Sequence, residues 1–152
     1  MNDDLAELYQ QVLLDHSKRP RNFGTIPEGA VQVDADNPSC GDEIHLNVKF
    51  GPDGAVENVK YTGQGCAISQ ASASMMTLKL MGKPRAEAEQ LLHDFHELVT
   101  SDHAAEPRAL GDLRLMAGVR KFPQRVKCAM LPWRAFEQAL EQAPPPAQPP
   151  AS

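Results

Sequence analysis

The chain has 152 residues, 41% of them hydrophobic, which suits one domain with one core rather than two domains or an unfolded segment. Fifteen basic against twenty acidic residues leave a net charge of -5 with no Lys/Arg run, which excludes a phosphate-binding footprint and argues against a nucleic-acid partner. No window nears the roughly 18 apolar residues of a membrane helix, and Asp3, Asp4 and Glu7 stand where a signal peptide would be basic, so a cytoplasmic protein with no membrane partner is expected. Aromatics make up only 5%, so the core is expected to rest on aliphatics and the six methionines.

Leu5, Leu8, Tyr9, Val12 and Leu13 recur at helical spacing behind Asp3 and Asp4, and the Arg19-Pro20 step ends the pattern, which predicts a first helix over about 4–17. Residues 18–29, with two prolines and two glycines, read as a loop. Val31 and Val33 then alternate with polar neighbours in an edge strand over 30–35. In 44–50, Ile44, Leu46, Val48 and Phe50 point one way, while Glu43, His45, Asn47 and Lys49 point the other. Gly51-Pro52-Asp53-Gly54 is turn chemistry, and 56–61 returns as a third strand, giving an antiparallel meander.

From Cys66 the pattern becomes helical, with Ile68, Ala71, Met75 and Leu78 on one face, Gly82 at the C-terminal left-handed position and Pro84 preventing continuation. Ala88, Leu91, Leu92, Phe95, Leu98 and Val99 mark another amphipathic helix, and 100–107 reads as a loop. A short helix capped by Asp112 runs to Ala117, broken by Gly118. A last helix begins near Pro132 with Trp133, Phe136 and Leu140 on one side. The Pro/Ala-rich residues 143–152 read as a disordered tail behind a domain of 1–142. The predicted architecture is α+β, a three-stranded antiparallel sheet covered by about five α-helices.

Three cysteines cannot form a fully paired disulfide framework. Cys40 lies in Asn37-Pro38-Ser39-Cys40-Gly41-Asp42 between two strands, where Pro and Gly expose the sulfur and bring it towards Asp42. Cys66 follows Gly63-Gln64-Gly65 and opens a helix, whose N-terminus favours the thiolate. Cys128 is expected just before the last helix, next to Arg125 and Lys127. The separations of 26 and 62 residues fit no zinc-finger spacing, and buried core thiols remain an alternative reading. If the loops meet, Cys40, Asp42, Cys66 and Cys128 form a Cys₃Asp tetrahedral set suited to zinc, with Arg125 and Lys127 offsetting its excess negative charge.

The chain resembles the SufU proteins, members of the IscU-like family of iron–sulfur cluster assembly, over residues 1 to about 142. The likeness rests on Arg19-Pro20-Arg21-Asn22-Phe23-Gly24, on 37–42, on Gly63-Gln64-Gly65-Cys66-Ala67-Ile68-Ser69, on 71–76, and on Phe122-Pro123-Gln124-Arg125-Val126-Lys127-Cys128-Ala129. It implies one zinc per chain held by Cys40, Asp42, Cys66 and Cys128, and a sulfurtransferase that accepts persulfide sulfur from a SufS-type cysteine desulfurase and passes it to downstream iron–sulfur assembly proteins. It also implies that Cys40 takes the sulfur and that Arg125 engages the freed Asp42. A fully ligated thiolate is no nucleophile, so one must be released, and the small Ser39-Cys40-Gly41 turn suits that role. The alternative is an IscU-type scaffold that builds an iron–sulfur cluster on the same cysteines. Scaffolds of that type carry histidine directly before the third cysteine, where this chain has Lys127, and a shorter stretch between the second and third cysteines. A third hypothesis is a structural zinc module that merely docks on the desulfurase.

Other polar residues read as structural. His93 and His96 belong to a solvated helix face, His45 to a strand surface and His103 to a loop, while His16 ends the first helix as a cation on its dipole. Met75, Met76 and Met81 read as helix core, and Trp133 with Phe136 as anchors of the last helix.

Overall fold

The computed structural model describes residues 2–101 and 108–143. Strands β1 (Val31–Asn37), β2 (Asp42–Phe50) and β3 (Val56–Gln64) form one antiparallel sheet in the order β1-β2-β3. The meander follows from period-two patterning and tight turns: Ile44, Leu46 and Val48 of the central strand are fully buried. Val33 pairs with Leu46, Val48 with Val59 and, at the site end, Asn37 with Asp42. The opposite, polar face of β2 is not wholly exposed. Asn47 is buried there because the 18–29 loop folds over it, its side-chain oxygen accepting from the Ile26 backbone N–H at 3.4 Å.

Helix α1 (Asn2–Lys18) packs on α2 (Ala67–Leu80), which also contacts β3, the 3₁₀ segment Arg108–Lys121 and α4 (Pro123–Gln142). Helix α3 (Arg85–Thr100) lies against the 3₁₀ segment. Among the described residues, four α-helices and this 3₁₀ segment make up the five helical elements, in the α+β arrangement expected. None of these helices is long and apolar enough to cross a membrane.

Helix α2 departs from the one-faced helix predicted. Ser69 and Ala71 to Thr77 are all buried, whereas Leu78 is 50% exposed, so the helix is enclosed on nearly every side by its neighbours. Its small residues permit that approach, and its hydroxyls are satisfied. The Ser72 hydroxyl donates to the Ala129 carbonyl at 2.6 Å, and Thr77 Oγ1 donates to the Ser74 carbonyl at 2.7 Å. Met75 and Met76 are core, as read, and Gly82 takes the left-handed conformation (φ 76) expected of it.

Two boundaries differ from the sequence reading. The 3₁₀ segment runs through Gly118, and the break falls at Gly111 (φ 57, ψ -130), a conformation open to glycine alone. Helix α4 starts at Pro123, not near Pro132. Pro123 occupies the first turn, where a missing N–H costs nothing, while Pro132 sits buried inside the helix and removes the bond that the Cys128 carbonyl would accept. Packing carries α4 across this defect. Trp133 is fully buried, stacks on Phe95 with ring centroids 4.8 Å apart, and donates Nε1–H to Ser72 Oγ at 3.2 Å. The rest of the 100–107 loop, His103 and the tail from 144 onward lie outside the described residues.

Candidate metal centre

Asn37 ends β1 and Asp42 opens β2, and the four residues between them turn the chain. The Cys40 N–H donates to the Asn37 carbonyl at 3.1 Å, with Pro38 in the second position of that turn and Gly41 at φ 71. Cys40 is thereby left exposed. Asp42 begins the buried run of β2 and is only 1% exposed.

Cys66 caps α2 and is half-buried. Its backbone N–H donates to Asp42 Oδ1 at 2.7 Å, and its sulfur lies 3.8 Å from Asp42 Oδ2. One carboxylate oxygen thus anchors the start of α2 while the other faces the thiol, a structural duty of Asp42 that spacing could not show. Gly65 (φ 146) permits this contact, because a Cβ there would fall on the Asp42 carboxylate. Ser69 Oγ, 3.8 Å from the Cys66 sulfur, donates to the Cys66 carbonyl at 3.1 Å.

Cys128 corrects an expectation. It lies inside α4 rather than ahead of it, and it is fully buried, because the helix begins five residues earlier at Pro123. The Asn37 side-chain amide donates to its sulfur at 3.8 Å. Donor atoms of Cys40, Asp42 and Cys128 all lie within 4.8 Å of one another, the one such three-ligand group among the described residues. Three of the four candidate ligands thus form one group, and Cys66 adjoins it through its contacts with Asp42.

Burial pushes the Cys128 thiol far above its ordinary range, and its hydrogen bonds with Asp42, Cys40 and Cys66 push it further. A buried carboxylate amid three thiols is a donor set that wants a cation, and sulfur-rich, oxygen-poor ligation fits a borderline-soft ion such as zinc. Arg125 and Lys127 are both exposed on the first turns of α4. Tyr9 of α1, one of the apolar-face positions of the first helix, lies within electrostatic reach of Arg125 and Cys66. Burial raises its phenol above the ordinary range, Arg125 lowers it and Cys66 raises it, so all three share one electrostatic neighbourhood. A tyrosine at helical spacing carries no sequence signal for such a role.

Among the described residues, no histidine joins the three-ligand group. His45 is on the exposed strand face and pairs with Asp34 at 2.7 Å, and His93 and His96 lie on the outer side of α3. His16 is not a helix-dipole cation at the surface. It is 6% exposed, its Nδ1 lies 2.7 Å from Ser74 Oγ, and burial lowers its pKa below the ordinary value.

The family model described as the NifU-like N-terminal domain matches residues 8–129. The chain is 44% identical over 139 residues to an iron–sulfur cluster assembly scaffold protein IscU of Streptococcus pyogenes, covering 91% of this chain and 86% of that one. It is 43% identical to the zinc-dependent sulfurtransferase SufU of Bacillus subtilis, covering 91% and 93%. A solved structure of a SufU from Fervidobacterium islandicum, titled a candidate iron–sulfur cluster assembly scaffold for the SUF system, superposes with a TM-score of 0.79 at 35% identity, covering 86% and 94%. The chain belongs to the NifU-like N-terminal domain family, alongside SufU and IscU proteins.

Proposed function

We propose that this chain is a zinc-dependent sulfurtransferase that accepts persulfide sulfur from a SufS-type cysteine desulfurase and hands it to iron–sulfur cluster assembly. The observation that carries the reading is an exposed thiol, Cys40, on a turn whose neighbours Asp42 and Cys128 are buried, with donor atoms within 4.8 Å of one another. The similarity to the zinc-dependent sulfurtransferase of B. subtilis supports it. So does Lys127, which stands where, by resemblance, scaffolds of the IscU type carry histidine.

In this reading Cys40, Asp42, Cys66 and Cys128 hold one zinc. The ion, when bound, keeps the sulfurs deprotonated at neutral pH and protected from oxidation. The chain's own residues carry the transfer. The Cys40 thiolate attacks the terminal sulfur of the donor persulfide, the donor S–S bond breaks, and the desulfurase cysteine leaves as a thiolate. Cys40 then bears the persulfide, with no net oxidation. Arg125, exposed on the first turn of α4, stabilises the negative charge that Asp42 presents when Cys40 departs. Thiols that must stay reduced between cycles suit the cytoplasm.

Metal analysis of aerobically purified protein, paired with desulfurase turnover, tests this reading. About one zinc per chain and faster turnover are expected. Bound iron with sulfide would instead support the scaffold, and zinc without stimulation a structural module.

A further inference from the structure

The three sulfurs stand in graded surroundings. Cys40 is exposed on its turn, Cys66 is half-buried and Cys128 is fully buried. Their polar neighbours differ as well. Near Cys66, the single hydroxyl proton of Ser69 is donated to the Cys66 carbonyl at 3.1 Å and is not available to the sulfur. Near Cys128, the neighbour is an amide: Asn37 Nδ2 lies 3.8 Å from the Cys128 sulfur, and Asn37 as a residue is 8% exposed.

Asn37 also holds the other end of the site. Its carbonyl accepts the Cys40 N–H at 3.1 Å, closing the turn that presents Cys40, and it pairs in register with Asp42. One residue therefore contacts Cys40 through its backbone, Asp42 through the ladder and Cys128 through its side chain. A turn needs only a residue such as Asn or Asp at this position. An amide aimed at a buried sulfur is more than the turn requires.

We propose that Asn37 is a positioning residue that fixes Cys128 as the permanent ligand of the metal centre, leaving Cys40 as the exchangeable one. The inference rests on the metal-centre reading above. An N–H donor to a metal-bound sulfur orients it and stabilises its charge in the dry interior, where no water can substitute. Cys40, at the surface, is solvated whether bound or released. When a ligand must leave, the penalty of uncovering charge is therefore larger at Cys128 than at Cys40.

The test is site-resolved alkylation of the zinc-loaded protein with iodoacetamide, read by mass spectrometry, together with the rate of zinc release to a chelator. Asn37→Asp keeps the turn preference and nearly the same shape but replaces the donor with an anion; Asn37→Ser, too short to reach the sulfur, removes the donor without adding charge. In the parent, Cys40 is expected to be alkylated first. In both variants Cys128 should be alkylated roughly tenfold faster and zinc released faster, in keeping with the usual effect of losing a ligand's hydrogen-bond partner, while Cys40 keeps the parent rate. The sulfur-to-cobalt charge-transfer band of the cobalt-substituted protein should shift, which a change in turn stability alone would not produce. Far-UV circular dichroism identifies any misfolded variant, and the folded one of the two then decides. Parent alkylation rates at Cys128 with an unshifted band in a folded variant would overturn the proposal. Failure of the underlying reading looks different: the parent would hold no zinc, or Cys128→Ser would hold it as tightly as the parent.

Discussion

Replacing Asp42 with alanine should separate two duties that converge on one carboxylate. Asp42 Oδ1 accepts the Cys66 backbone N–H at 2.7 Å at the start of α2, and the residue is 1% exposed, so alanine leaves that N–H without its partner. A hydrogen bond to a charged acceptor contributes about 1.5–3 kcal/mol, and an anion at a helix N-terminus adds about 0.3–1 kcal/mol. A loss of about 2–4 kcal/mol follows, which for a domain of this size lowers the thermal midpoint by roughly 6–12 °C. Zinc-free protein should be compared by calorimetry so that metal loss does not enter. Asp42→Asn provides the contrast, since its amide oxygen still accepts from Cys66 while serving poorly as a ligand. It should keep a midpoint nearer the parent yet release zinc to a chelator as readily as Asp42→Ala. An unchanged zinc-free midpoint in Asp42→Ala would refute the anchoring role, and parent-like zinc retention in both variants would refute ligation.

Gly65→Ala should lower zinc occupancy measured by elemental analysis, because its Cβ would fall on the Asp42 carboxylate; full occupancy would contradict that packing. His16 predicts a pH dependence. Burial, with Arg21 adding to it, holds the imidazole below its ordinary pKa, so the unfolded chain takes up the proton first as pH falls. The contribution is present above about pH 6.5 and is lost as pH drops through and below that value. Denaturant midpoints between about pH 7.5 and 5.5 should fall more steeply for the parent than for His16→Gln, and parallel curves would discount the effect. Arg125→Ala should slow sulfur transfer in a desulfurase-coupled assay while leaving zinc content unchanged; an unaltered rate would remove Arg125 from the mechanism.

The hairpins were legible because β2 alternates buried Ile44, Leu46 and Val48 with outward residues, and because Gly51-Pro52-Asp53-Gly54 permits only a turn. The helices were legible in number but less so in environment. Alanines and serines carry too little hydrophobic contrast to reveal that α2 is enclosed on nearly every side, and its exposed Leu78 looks like core in the sequence. Pro132 resembles a helix start, yet packing around Trp133 overrides the local cost and α4 begins at Pro123. That error misplaced Cys128, which is buried within the helix rather than carried on a loop. The four candidate ligands could be named because family motifs surround them. Their convergence could not be derived from spacing, since the β1–β2 turn, the start of α2 and the first turns of α4 are distant in sequence. The second duty of Asp42 and the amide of Asn37 on Cys128 are products of that convergence alone.

The most direct measurement is the location of transferred sulfur. The zinc-loaded protein is incubated with a SufS-type cysteine desulfurase and cysteine, and the persulfide is mapped by peptide mass spectrometry. The account predicts the added sulfur on Cys40, the exposed thiol of the site, and no acceptor activity in Cys40→Ser. Sulfur transfer that persists in Cys40→Ser, with the persulfide on Cys66 or Cys128, would contradict it.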